Sequence, residues 1–115
     1  MQDILGELVR TRGVGGCLLL NHEGLVIESM LRSDVDAQAL AAAVGELLAA
    51  IAELSRGMHL GRLASFSSFS EQGGIVLSAA GPAHLLVLCD ASANPALLRL
   101  ELRPFIDRIA ERLSL

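Results

Sequence analysis

Five side chains of this 115-residue chain have the chemistry for nucleophilic, proton-transfer or metal work: Cys17, His22, His59, His84 and Cys89. No pair of them falls at a recognisable metal-ligand spacing, and two cysteines are too few for a disulfide framework. Cys17 and Cys89 each sit in an apolar run of strand type, where a thiol serves as a small hydrophobe rather than a nucleophile. His22 lies in a turn and His84 beside the Gly81-Pro82 turn, so both are expected to face solvent. A Cys17–His84 pair on neighbouring strands is the one arrangement that would give a thiol a base. Glu46 and Glu53 fall two turns apart on one helix face, as a carboxylate pair would, and equally as a solvated stripe would. Gly13-Val14-Gly15-Gly16 is glycine-rich without the spacing of a dinucleotide fingerprint. All nine basic residues are arginine, and the missing lysine removes Walker-type phosphate binding, Schiff-base chemistry and Ser-Lys nucleophiles. These residues form no catalytic constellation, and the chain reads as a non-enzyme with no metal and no cofactor.

Composition narrows the partners. Hydrophobic residues make up 52% of the chain and charged ones only 19%, against a usual charged share of ~25%. The length suits one domain spanning residues 1–115. A net charge of −4 argues against nucleic acid and anionic membrane surfaces, and 3% aromatic residues leave no stacking platform for single strands. The charge-free run 72–89 approaches the ~20 residues of a membrane span, but Gly73-Gly74, Gly81-Pro82 and His84 break it. The amino terminus lacks the basic-then-apolar layout of a secretion signal. The expectation is a cytoplasmic protein without membrane insertion, whose surplus of apolar residues needs cover.

The elements that must position these groups follow from periodicity. Ile4, Leu5 and Leu8 mark a short opening helix, stopped near Gly13. Val14 to Leu20 and the run 25–31, joined by Asn21-His22-Glu23-Gly24, read as a β-hairpin. Asp34 or Asp36 caps a long helix ending near Gly57, in which Leu40, Val44, Leu47, Ile51, Leu54 and Met58 form a heptad-type seam. Residues 62–70 alternate as a polar edge strand, with Ala64, Phe66 and Ser68 on one side. Two apolar strands follow, at 75–80 and 84–89, the second apolar enough to be buried on both faces. Asn94-Pro95 starts a closing helix with the stripe Leu98, Leu102, Phe105, Ile109 and Leu113, which Pro104 should kink or split near Leu100. The order is α-β-β-α-β-β-β-α.

Two surfaces stand out from a chain meant only to pack on itself. Ala41, Ala42, Gly45, Ala49 and Ala52 lie along one flank of the long helix, where small residues let another backbone come close. The polar edge strand offers unpaired backbone groups to a second copy across a two-fold axis. A homodimer formed through both would absorb the apolar surplus. Arg56 and Arg62 border the end of that helix as rim contacts.

The chain resembles a single roadblock-type (dynein light chain) domain, in the form of the small bacterial regulators that pair with Ras-like GTPases. The residues that carry the resemblance are Ile4-Leu5-Gly6-Glu7-Leu8, Gly13-Val14-Gly15-Gly16, Leu18-Leu19-Leu20 running into Glu23-Gly24-Leu25-Val26-Ile27, the Ala/Leu-rich helix, Gly81 before Leu85-Leu86-Val87-Leu88, and the segment 94–103. The family's usual glycine after Asn94 is replaced here by Pro95-Ala96-Leu97. The resemblance implies an α+β domain of profilin/longin-like architecture, a five-stranded antiparallel sheet between helices, dimerised with the long helices side by side and the third strands joined. It further implies a regulator or scaffold that binds a Ras-like small GTPase and modulates its nucleotide state or hydrolysis. The interface expected on this reading comprises Ala42, Gly45, Ala49, Ala52, Arg56, Arg62, Ala64 and Phe66. The competing reading is a profilin-like sensory module holding a small molecule in a pocket beneath the sheet.

Overall fold

The structure, a computed structural model, describes residues 1–114. Its elements are α1 (Gln2–Leu8), β1 (Val14–Leu20), β2 (Val26–Met30), α2 (Ala37–Met58), β3 (Ser65–Ser70), β4 (Gly73–Ala80), β5 (Ala83–Asp90) and α3 (Pro95–Leu113). The expected order α-β-β-α-β-β-β-α is the observed one. The strands form one antiparallel sheet in the order β2-β1-β5-β4-β3, so β2 and β3 are the two edges.

Alternation along the strands builds two separate cores. Cys17, Leu19, Leu85, Val87 and Cys89 point to the side covered by α1 and α3, where Ile4, Leu8, Leu102 and Ile109 meet them. Leu18, Leu20, Leu77 and Leu86 point to the other side, where α2 places Ala41 and Val44. The apolar run of β5 is therefore buried on both faces, as its composition requires. Burying each of these leucines contributes about 1.5–3 kcal/mol. Gly13 closes the first layer: with φ of +90° it takes a left-handed turn, and a Cβ there would come within 2.8 Å of Ala93.

The helix ends follow local chemistry. The Asp36 carboxylate accepts from the amides of Gln38 and Ala39, at 2.9 and 3.2 Å, and starts α2. Asn94 accepts from Leu97 at 3.2 Å, with Pro95 next to it, and starts α3. Of the two outcomes expected at Pro104, a kink or a split, the split does not occur: α3 runs unbroken from Pro95 to Leu113. The carbonyl Pro104 leaves free belongs to Leu100, on the solvent side of α3, where the residue is 74% exposed. The buried stripe of α3 also differs by one position, with Ile106 inside and Phe105 only half-buried.

The heptad seam of α2 holds only in its first part. Val44 is buried and Leu40, Leu47 and Ile51 are half-buried, but Leu54 and Met58 are more than 60% exposed. A 22-residue helix is about 33 Å long, whereas the β1 and β2 strands it packs on span about 17–24 Å. Its last turns overrun the sheet. Ala41, placed on the flank by sequence, is instead buried against the sheet, because the face turned to the sheet runs through Ala41, Val44 and Leu48, to one side of the Leu40–Met58 seam.

Ion pairs fasten α1 to α3. Arg112 and Arg108 hold Asp3 and Glu7 at 3.1 and 2.7 Å, and these hydrogen bonds keep both carboxyls below their usual range. A carboxyl lowered in the folded state stabilises above its ordinary titration range and loses that effect as pH falls through the lowered value. The double variant Asp3→Asn with Glu7→Gln should therefore melt below the parent at pH 7. Scans repeated toward about pH 2 should show that gap closing.

Candidate functional site

No thiol–histidine pair forms. Cys17 lies opposite Val87 on the α1/α3 side of the sheet, whereas His84 lies opposite Leu20 and projects to the α2 side. Burial pushes both thiols up to about 11, far from the range of a reactive cysteine. Ellman's reagent should accordingly label neither cysteine at a measurable fast rate in the folded protein, and both after denaturation. Among the described residues, no three His, Cys, Asp or Glu side chains come together as metal ligands.

What the fold does assemble is a broad surface along α2 and β3. Ala42, Ala49 and Ala52 are exposed on the outer flank of α2, and Gly45 among them has nothing within 4 Å of a would-be Cβ. Gly57, further along, is equally open. A glycine in a helix interior costs roughly 1 kcal/mol relative to alanine, and nothing within this chain returns that cost. The α2 helix covers β1 and β2, leaving Leu63, Phe66 and Ile75 half-buried toward β3. Length and mean hydropathy of 1.5 would let α2 cross a membrane, and only 11% of that window is buried within the chain. The run 72–89 instead divides into β4 and β5.

The β3 edge is open in a defined pattern. The Ala79 amide donates to the Ala64 carbonyl at 3.0 Å, which makes Ala64 and Ala79 a closely bonded pair in register with Ser65↔Ser78. By antiparallel alternation, the amides of Ser65, Ser67 and Phe69 point away from the sheet. Regular pairing begins at Ser65 rather than at residue 62, since 61–64 form the connection from α2, with Gly61 at a φ of +79°.

A cleft of about 930 Å³ opens where α2 ends. Leu48, Ile51, Ala52, Leu63, Ala79 and Pro82 give it apolar walls. Arg56, Arg62 and all three histidines of the chain also line it, and among the described residues no carboxylate does. The expectation that His84 faces solvent is met only in part, since its ring is half-buried in the wall of the cleft. Its Nδ1 is sealed from solvent without a hydrogen-bond partner, and burial lowers the pKa of the ring. His59 ends α2 in the left-handed conformation, at a φ of 56°, which costs a non-glycine residue about 1–2 kcal/mol. Arg56 is tied to Glu53 and His22 lies 3.7 Å from Glu23, both as exposed pairs.

Of the eight interface residues expected from sequence, Ala42, Gly45, Ala49 and Ala52 share one flank of α2. Phe66 belongs to the β3 edge with Ala64 just before it, and Arg56 and Arg62 fall together on the cleft. The convergence of the histidines was not anticipated. A signal for it existed, since His22 and His84 each lie at a strand end, at hairpins that the topology brings to the same end of the sheet.

A five-stranded antiparallel sheet with α1 and α3 on one side and a single, incompletely covered helix on the other defines a profilin/longin-like roadblock architecture. The Roadblock/LC7 domain profile matches residues 1–89, and the chain belongs to that family. An uncharacterised protein of Methanocaldococcus jannaschii is 34% identical over 106 residues, covering 92% of this chain and 90% of its own. Among solved structures, Myxococcus xanthus MglB superposes with a TM-score of 0.91 at 16% identity, over 98% of this chain and 94% of its own. A Roadblock/LC7 domain from Streptomyces avermitilis does so with 0.88 at 20% identity, over 100% and 98%.

Proposed function

We propose that the protein is a non-enzymatic homodimer built on the outer flank of α2 and the open edge of β3, and that this dimer binds a Ras-like small GTPase in the cytoplasm. The observation that carries the first half is the empty space beside Gly45, on a flank of exposed alanines next to an unpaired strand edge. Small residues on a long helix permit the close approach of a second helix, and outward amides permit a second strand. A lipid cover fits less well: Glu46 and Glu53 are both exposed on α2, and ionised side chains at a bilayer centre cost about 3 kcal/mol each.

The second half rests on the family, whose small bacterial members are paired with Ras-like GTPases. Differential binding is the mechanism that fits this chain: a dimer surface that prefers one nucleotide state shifts the GTPase toward it. Arg56 and Arg62 then serve as rim contacts, since Arg56 is already paired to Glu53. The test is capture from the native cell with GDP or a non-hydrolysable GTP analogue, then titration against the purified GTPase so identified. Affinities for the two nucleotide states should differ by about tenfold or more. Capture of no Ras-type GTPase, or equal affinity for both states, would contradict the reading, because equal affinity shifts nothing.

A further inference from the structure

We propose that the cleft at the C-terminal end of α2 binds a small amphipathic anion, a single acidic head group on an apolar body. In a chain with thirteen Asp and Glu and nine Arg, a cleft lined by two arginines and three histidines, with no Asp or Glu among the described residues, departs sharply from composition. The histidines come from three elements, the β1–β2 turn, the end of α2 and the start of β5, so local sequence does not explain their meeting.

Two details point to an occupant. The His84 ring lines the cleft, and its Nδ1 has no hydrogen-bond partner among the described residues, so the imidazole is not committed to a contact within the fold. His59 holds a left-handed conformation although Gly57, which adopts one without penalty, stands two residues earlier. That placement puts an imidazole, rather than a bare backbone, on the rim. Strain kept at a cleft in this way is a mark of function.

The walls set the rest of the ligand. Leu48, Ile51 and Leu63 suit an alkyl or ring body, and about 930 Å³ is ample for one. The C-terminal dipole of α2 opposes dense negative charge, so a single head group fits where a polyphosphate does not. Glu23 and Glu53 form exposed pairs with the lining residues His22 and Arg56; such pairs are weak and yield to a better-placed anion. Binding should also take up a proton. Burial lowers the His84 pKa, and an anion in the cleft favours the charged ring, so affinity should rise as pH falls.

The inference does not depend on the GTPase reading and is tested on whichever assembly the protein forms in solution. Amide NMR spectra are followed while 1-octanesulfonate, ionised at every pH used, or neutral 1-octanol is titrated in. Octanesulfonate should saturate with its largest shifts at His59, Arg62 and His84, binding at least about tenfold more tightly than octanol. Affinity should rise severalfold from about pH 8 to pH 6. Arg62→Gln, at an exposed position, should weaken binding about tenfold with an unchanged melting temperature. His84→Phe should reduce the pH dependence. Equal binding of octanol, shifts confined to Ala42 and Ala49, or an unaltered Arg62→Gln variant would overturn the proposal. So would saturation by an acidic peptide with none by octanesulfonate, which would assign the cleft to a protein partner.

Discussion

Ala49→Arg should turn the dimer into a monomer. Ala49 is exposed between Gly45 and Ala52 on the flank where a second α2 is proposed to lie. A guanidinium there introduces bulk into a close helix contact and buries a charge without a dedicated partner, at a cost of about 3–5 kcal/mol. The dissociation constant should therefore rise at least about 100-fold. The folded chain itself should not suffer: in the monomer the new arginine stands in solvent within one turn of Glu46 and Glu53, positions from which helix pairs are mildly stabilising. Sedimentation velocity reads the mass, and Leu100→Arg on the exposed side of α3 serves as the control that changes charge without touching the flank. A variant that sediments like the parent would mean that the alanines are there for helix propensity alone.

Ser67→Pro tests the other half of the same surface. In the hydrogen-bond pattern set by Ala64 and Ala79, the Ser67 amide points outward, so proline removes no bond within the chain. An edge strand tolerates such a proline, with at most a small change in melting temperature. A strand joined to it across a two-fold axis does not, because the ring replaces a donor in the middle of the new ladder. Dimerisation should weaken by about tenfold or more. Phe66→Pro, whose amide points toward β4, should instead unfold the β3 edge in the monomer. The contrast between neighbouring prolines distinguishes a lost interface from a lost fold.

The fold was legible because its signals are local. Asp36 and Asn94-Pro95 announce their helices, the turns at residues 21–24 and 81–82 separate strands, and β5 is too apolar to have a wet face. The departures are all long-range or geometric. Leu54 and Met58 keep helical spacing with the buried seam, yet only the lengths of β1 and β2 reveal that α2 outruns them. Pro104 breaks a bond whose orphaned carbonyl, at Leu100, faces water, and no local pattern says which side of α3 is wet. The flank around Gly45 was readable as a stripe of small residues. The cleft was not, because its histidines are far apart in the chain and meet only once the hairpin turns and the end of α2 reach the same end of the sheet.

The most direct measurement is amide hydrogen exchange at Ser67, resolved by NMR in the parent protein and in Ala49→Arg. A β3 edge joined to a second copy binds the outward amide of Ser67 in a ladder. Exchange there should be slowed at least about 100-fold in the parent relative to the variant. Exchange at the rate of a solvent-facing amide in both proteins would show that the edge stays open and that the α2–β3 face is not where two copies meet.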